Sequence, residues 1–459
     1  MKKLLLLAVA LPSLAFAQTA PDPAALRDAA LNGDTIAWDM VEGLTTEIGQ
    51  RQAGTEAEAR ARDWAVRHLT ALGFSNVRVE PFDMPVWIRG EERAEIVSPF
   101  PQSLVITALG NSAATPARGI EAEIVAFDSV AALEAAPDSA VRGKIVFIDH
   151  HMMPAQDGSG YGQFGAPRRQ GPTIASRKGA LGIVVRSIGT DHHRNPHTGV
   201  QSFGEGARPI PAAALTVPDA EQLQRILSRG RPVRMRLTLT PRNIGTRHSG
   251  NVVAEVPGSD PSAGVIVIGG HLDSWDLGTG AIDDAAGAAI TTAAAHRIMQ
   301  AGQPRRTIRV VLFGAEEVGG GGGETHFNLH RGENNVVLVG ESDFGADRVW
   351  RAQFSLGAGN AALSERIAAV LAPLGITKGP GSASAGADLG MWARAGTAAI
   401  DLNQDGTRYF DYHHTPDDTL DKVDPAQLRQ NVAAWTAMLA VAAYAPERIE
   451  PAPERPRER

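Results

Sequence analysis

Residues 269–287, GGHLDSWDLGTGAIDDAAG, follow directly on the apolar run GVIVIGG and set His271, Asp273, Asp276, Asp283 and Asp284 close together. Carboxylates buried side by side repel one another and lose their solvation unless a positive charge sits among them. The stretch is therefore either a solvated acidic loop or a cation site. Four apolar runs decide the matter. VIVIGG ends at His271 and Asp273, RVVLFGA at Glu316 and Glu317, NVVLVG at Glu341 and Asp343, and TAAIDLN, after a turn, at His413 and His414. In open α/β sheets ligands bind beyond the carboxyl ends of the strands. A solvated loop accounts for one such cluster, not for four in phase with the strands. A cation is expected.

The donor count favours two. Zinc held by imidazole and carboxylate takes about three protein ligands and keeps one position for water. His271, Asp283, Glu317, Asp343 and His414 supply five donors, enough for three on each of two ions if one carboxylate bridges. Two ions about 3.5–4 Å apart would hold water between them and polarise a carbonyl. Neighbours in extended chain point opposite ways. Glu316 is then free to serve as the general base on that water while Glu317 binds metal.

The sequence around this centre reads as α/β with a mostly parallel central sheet. From residue 251 strands alternate with helices, the latter over 284–302, 359–373, 386–394 and 425–443. A further helix is expected over 55–72, with Gly73 as its stop and His68 on its apolar face, followed by the strand SNVRVEPF. Between 99 and 245 the texture changes to short β-like runs, IEAEIVAF, GKIVFID, GIVVRS and VRMRLTLTP, separated by Gly/Pro-rich turns. This is a β-rich insert, and the α/β unit around it is discontinuous over 18–98 and 246–446. The insert's histidines, His150, His151, His192, His193 and His197, read as surface-loop residues, because no carboxylate cluster at ligand spacing accompanies them.

Bulk properties narrow the function. The chain has 459 residues, 43% of them hydrophobic, no cysteine and a formal charge of −7. Without cysteine, any metal must rest on histidine and carboxylate, and the acidic balance excludes a basic nucleic-acid surface. The opening MKKLLLLAVALPSLAFA carries a charged start, a short apolar run and a small-residue site, so residues 1–17 read as a bacterial signal peptide for a secreted or periplasmic protein without a membrane span. The tail 447–459, ERIEPAPERPRER, is Pro-rich and charged and is expected to be disordered.

The segments HLDSWD, GAIDDAAG, AEE, ESD and HHTPDDT resemble the signatures of the M28 family of co-catalytic zinc exopeptidases. PVWIRGEE, NPHTGVQ and IPAAALTV add a resemblance to its plasma glutamate carboxypeptidase (carboxypeptidase Q) branch, in which the insert is a protease-associated domain. The resemblance implies two zinc ions per chain, one on His271 and Asp343, the other on Glu317 and His414, with Asp283 bridging. It also implies that Asp273 orients His271, that Glu316 is the catalytic base of a zinc-hydroxide attack, and that a cis peptide follows Asp283. His414 rather than His413 matches the family's His-Thr/Ser-x-x-Asp pattern, and Asp284 is expected to cap the following helix. Asp388 matches an acidic position near the substrate cleft, with a structural role as the alternative. Gly319–Gly323 lacks the Lys and Ser/Thr of a phosphate loop and is expected to let backbone pass close to the metals. The implied activity is hydrolysis of short unblocked peptides, dipeptides foremost, by a homodimer. Its alternatives are an aminopeptidase on longer peptides, a glutaminyl-cyclase-like acyltransferase and a non-catalytic binding protein.

Overall fold

The computed structural model describes residues 20–452; the expected signal peptide lies outside them. Strands fall where the apolar runs placed them, at Arg242–Val256, Val265–His271, Thr307–Phe313, Val336–Glu341 and Ala398–Gln404. Their continuous hydrophobicity has a simple cause: both faces are covered. Ile266, Ile268, Ile308, Val310 and Leu312 point to one core, under the helices Ala286–Ala301 and Pro425–Ala442. Val265, Val267, Val311 and Phe313 alternate to the other, against Trp392 and Phe327.

The sheet is mixed rather than mostly parallel. Its eight strands run in the order Ser75–Ile88, Arg242–Val256, Thr307–Phe313, Val265–His271, Val336–Glu341, Ala398–Gln404, Val349–Ser355, Thr377–Lys378. The four central strands, Thr307–Phe313 through Ala398–Gln404, are mutually parallel. The pairings of Ser75–Ile88 with Arg242–Val256, of the latter with Thr307–Phe313, and of Val349–Ser355 with Ala398–Gln404 are antiparallel. Val349–Ser355 was not expected from the sequence: VWRAQFS mixes Arg and Gln into its apolar positions.

Helix ends obey local chemistry. Thr55 caps Glu56–Ala71 by accepting from the Glu58 N–H, and Asp424 caps Pro425–Ala442 by accepting from Ala426 and Gln427. Each replaces a helix-start partner that the first turn lacks. His68 stacks on Trp64, ring centroids 4.7 Å apart, as its place on the apolar face implied. Gly287 opens the Ala-rich helix so close to the sheet that a Cβ there would lie 1.7 Å from Ser342 O.

A second eight-stranded sheet is built from chain between Glu92 and Leu239. Glu92–Ser98 pairs with Arg234–Leu239 inside it, so sheet membership changes at Glu92 and not at 99. Residues 242–245 belong to the strand that pairs with Ser75–Ile88. The tail departs from expectation over its described part. Ile449 is buried, the Glu450 N–H donates to Asn360 Oδ1 at 2.7 Å, and the Ala452 N–H to Gly396 O at 2.9 Å. One apolar side chain among charges was enough to dock it. No described helix is long and apolar enough to cross a membrane.

Candidate metal centre

The central parallel strands deliver their terminal residues to one edge. His271 is the last residue of Val265–His271 and is fully buried. Its Nε2 lies 3.0 Å from Asp283 Oδ1 and 3.6 Å from Asp343 Oδ1. On the other side of Asp283, His414 Nε2 lies 3.3 Å from Oδ2 and 2.7 Å from Glu317 Oε2. Asp283 thus presents one oxygen to each half of a two-part cluster. The five residues expected as ligands lie close together, His271 beside Asp343 and His414 beside Glu317.

The donor atoms fit a cation. Asp283 Oδ2 and Glu317 Oε2 are buried and faced by His414 Nε2 at 3.3 and 2.7 Å, so they depend on a proton or a cation between them. A buried acceptor without a partner costs about 1–3 kcal/mol. Each imidazole is oriented from behind: His271 Nδ1 faces Asp273 O at 2.9 Å, and His414 Nδ1 faces Thr198 O at 3.1 Å. A carbonyl only accepts, so each Nδ1 carries hydrogen and each Nε2 turns its lone pair inward. Burial opposes protonation of these rings, yet the facing carboxylates raise both His271 and His414 well above the ordinary histidine range. Without a cation, a proton on each Nε2 stands in for its charge.

Glu316 and Glu317 diverge as neighbours. Glu317 is held by the Trp275 N–H, which donates to Oε1 at 2.6 Å. The Glu316 side chain lines the cavity, and burial followed by the charges of Asp343 and Glu317 raises its carboxyl well above the ordinary value. Such a group is suited to proton transfer. The turn that presents the pair passes through Ala315 at φ 62°, and His414 has φ 58°. Left-handed non-glycine residues are uncommon and cluster at functional sites.

Asp273 does more than orient His271. It meets that ring through its backbone carbonyl, its carboxylate Oδ1 being 3.6 Å from Nδ1. The carboxylate instead accepts the N–H groups of Glu316 at 3.1 Å and Glu317 at 3.3 Å. Asp284 caps as expected, accepting from Gly287 N at 2.9 Å, and also accepts from His271 N at 3.0 Å. The peptide between Asp283 and Asp284 is cis. Asp276 is paired bidentately with Arg89 at 2.7 and 2.8 Å. Asp388 takes the structural alternative: its Oδ1 accepts from Gly323 N at 3.0 Å, anchoring the helix Gly321–His330. Of the glycine run, Gly319 and Gly320 line the cavity, while Gly322 packs where a Cβ would lie 2.2 Å from Gly314 O.

His413 also approaches Asp283 Oδ2, at 3.1 Å, but reaches no second carboxylate; its Nδ1 meets His197 Nε2 at 2.8 Å. This corrects the reading of the insert's histidines. His192 and His193 are exposed, but His197 is buried against the centre. The loop carrying it follows the strand Gly182–Arg186 and docks through Thr198, whose Oγ1 accepts from Trp275 Nε1 at 2.7 Å. NPHTGVQ carries a family resemblance, but neither composition nor spacing gave His197 a role, since that arises from a contact 216 positions away in the chain.

Two further groups shape the site: Arg51, which the sequence did not point to, and Asp418, the closing Asp of the pattern that begins at His414. Arg51 is fully buried and donates to Leu272 O at 2.6 Å and Gly280 O at 2.8 Å, clamping the loop between His271 and Asp283. Asp418, the last acid of HHTPDD, accepts the N–H groups of Ala281 at 2.7 Å, Ile282 at 2.8 Å and Asp283 at 3.2 Å. The cavity in front of the centre, about 380 Å³, is lined by Glu316, Asp343, Phe344 and Tyr409, and by Tyr161, Arg168 and Val200 from the second-sheet segment. A larger cavity, about 530 Å³, is lined by second-sheet residues such as Glu92 and Arg236 and holds no imidazole.

Comparison with known proteins agrees with this geometry. Residues 251–439 match the signature of Peptidase family M28. Human carboxypeptidase Q is 35% identical over 408 residues, 88% of this chain and 85% of that protein. A Peptidase M28 precursor from Shewanella amazonensis is 44% identical, with a TM-score of 0.92 over 94% of this chain and 98% of that one. The Bacillus subtilis zinc aminopeptidase BSAP shares the fold at 17% identity and a TM-score of 0.65, over 90% of this chain and 97% of its own. The chain belongs to peptidase family M28, as a metallopeptidase similar to carboxypeptidase Q.

Proposed function

We propose that the protein is a binuclear-zinc exopeptidase acting on short peptides with free termini, dipeptides foremost. His271 and Asp343 would hold one ion and Glu317 and His414 the other, with Asp283 between them. When bound, the ions supply a Lewis acid for the scissile carbonyl and lower the pKa of water. Glu316 takes the proton from the attacking water and later delivers it to the departing amine. Asp273 holds the backbone of Glu316 and Glu317, fixing where that carboxylate sits.

One observation carries the choice of substrate. The cavity has an acidic side, Asp283, Glu316, Glu317 and Asp343, and Arg168 stands in its wall. Carboxylates favour a free α-amine, and a guanidinium is suited to a carboxylate. Arg168 NH1 donates at 2.5 Å to Thr198 O, the same carbonyl that receives His414 Nδ1, which sets the cation beside the centre. A dipeptide carries its carboxylate one residue beyond the scissile carbonyl, a reach of about 3.8 Å.

The test is a mixture of blocked and unblocked peptides incubated with the purified enzyme and read by mass spectrometry. Loss of unblocked dipeptides first supports the reading. Stepwise N-terminal shortening of longer peptides at equal rates makes the enzyme a general aminopeptidase instead. The likeness to carboxypeptidase Q and residues 1–17 support extending the proposal to an exported homodimer, which sedimentation and cell fractionation would check.

A further inference from the structure

A second buried cluster lies apart from the residues assigned above. Glu80, on the strand Ser75–Ile88, meets two histidines from one face of the helix Gly321–His330. Glu80 Oε2 is 2.9 Å from His326 Nδ1 and Oε1 is 2.8 Å from His330 Nε2. His326 and His330 are four residues apart, the spacing that stacks side chains on a helix. Glu80 is 6% exposed, His326 0% and His330 9%. The three donor atoms lie within 4.8 Å of one another.

We propose that Glu80, His326 and His330 form a third divalent-cation site, of the zinc class, with a structural role. Its donors are two imidazoles and one carboxylate, the set that suits zinc. Zinc with bonds of about 2.0–2.1 Å holds tetrahedral donors about 3.3–3.4 Å apart. The two carboxylate–imidazole separations, one to each oxygen of Glu80, would open by about half an ångström. The surroundings are those of a metal ligand: His330 Nδ1 is 2.6 Å from Glu333 Oε1, a carboxylate behind the imidazole. Metal-bound histidines are commonly oriented in this way.

Protonation of the cluster points the same way. Burial lowers His326 below the ordinary histidine range, so it is neutral, the form that binds metal. Its Nδ1 faces Glu80, so an ion there would leave the ring hydrogen on Nε2, a buried atom that must then take its partner from water or a small shift of the helix. His330 is raised, first by Glu80 and further by Glu333, and its proton occupies the place of a cation's charge. Binding at His330 Nε2 would release that proton, while the single hydrogen of neutral His326 would move from Nδ1 to Nε2. Arg78 NH2 donates to Glu80 Oε1 at 2.9 Å, but its side chain is 36% exposed and free to turn outward. An ion here would pin the helix that begins in the glycine run, directly after Glu316 and Glu317.

The inference does not rest on the proposed substrate or on the proposed reaction. Crystals of the full-length protein soaked in Zn²⁺ alone should give an anomalous peak between Glu80, His326 and His330. Elemental analysis should find one zinc more per chain in the wild type than in His326→Phe or Glu80→Gln, while both variants keep peptide hydrolysis. Absence of the peak in wild-type crystals overturns the site, as does equal zinc content in wild type and a folded variant. The wild-type crystal decides even if neither variant folds.

Discussion

Glu316 and Glu317 are adjacent in the chain and opposed in circumstance. Glu317 is fixed by the Trp275 N–H and faces His414, whereas Glu316 is anchored only through its backbone and turns its carboxyl to the cavity. On the proposed assignment, Glu316→Gln leaves metal content unchanged and lowers kcat by about 10²–10⁴-fold, the contribution of a general base. Glu317→Gln, with an amide in place of a ligand oxygen, should lose metal. Elemental analysis beside steady-state kinetics separates the two, and near-normal turnover of Glu316→Gln would sink the division of labour. Asp283→Asn should be worse than either for metal retention, because one amide removes the charge that both halves of the cluster share. Zinc bound at wild-type stoichiometry in that variant would exclude a bridging role. Glu316 and Glu317 were legible because they follow an apolar strand, and Asp283 because it stands in the acidic stretch after His271. His197 and Thr198, on the loop after Gly182–Arg186, and Arg168, on the short helix Ala166–Arg169, were not, because neither composition nor spacing records their approach to the centre from another sheet.

At the scale of elements, strand ends bring the ligands to one edge, and two charged side chains keep the intervening loop in shape. Arg51 donates to the carbonyls of Leu272 and Gly280, and Asp418 gathers the N–H groups of Ala281, Ile282 and Asp283. Leu272, Ala281 and Ile282 bury the loop against the core, and the backbone groups buried with them must be paired. Burial lowers the Arg51 pKa, and the nearby charges of Asp418 and Asp273 oppose that shift. Removing one side of such a buried network costs about 3–5 kcal/mol. Arg51→Leu is expected to lose that much in urea unfolding of the metal-free protein and to need a higher free zinc concentration for half-maximal loading. A variant with unchanged unfolding midpoint and unchanged zinc affinity would show that the clamp is dispensable. The apolar strands and the capped helices were readable from periodicity and from Thr55 and Asp424. The helix Gly321–His330 was not, since GGGETHFNLH opens on three glycines and owes its stability to packing on Gly314, Asp388 and the sheet.

At the scale of the molecule, the second-sheet segment forms part of the wall in front of the centre, and the proposed preference for short peptides rests on it. Its loop meets the catalytic unit through Thr190 with Asp411, Asn195 with Asp417 and Thr198 with Trp275, at 2.6, 2.6 and 2.7 Å. Tyr161, Arg168 and Val200 thereby become part of the cavity wall, leaving about 380 Å³ in front of the centre. A dipeptide can place its α-amine near the carboxylates and its carboxylate near Arg168. A tetrapeptide cleaved at its first bond has an internal carbonyl where that carboxylate would be, and two more residues to accommodate. Acetylation removes the attraction at the other end. An unblocked dipeptide is therefore expected to be cleaved with a higher kcat/KM than either its N-acetyl form or a tetrapeptide of the same leading residues. Arg168→Met should erase most of the dipeptide's advantage over its C-terminal amide, about tenfold or more for a charge-assisted pair worth about 1.5–3 kcal/mol. Circular dichroism and zinc content would show that the variant is folded and loaded. If Arg168→Met keeps the preference for a free carboxylate, recognition of that terminus lies elsewhere; if the wild type cleaves the tetrapeptide as well as the dipeptide, the segment does not limit length at all.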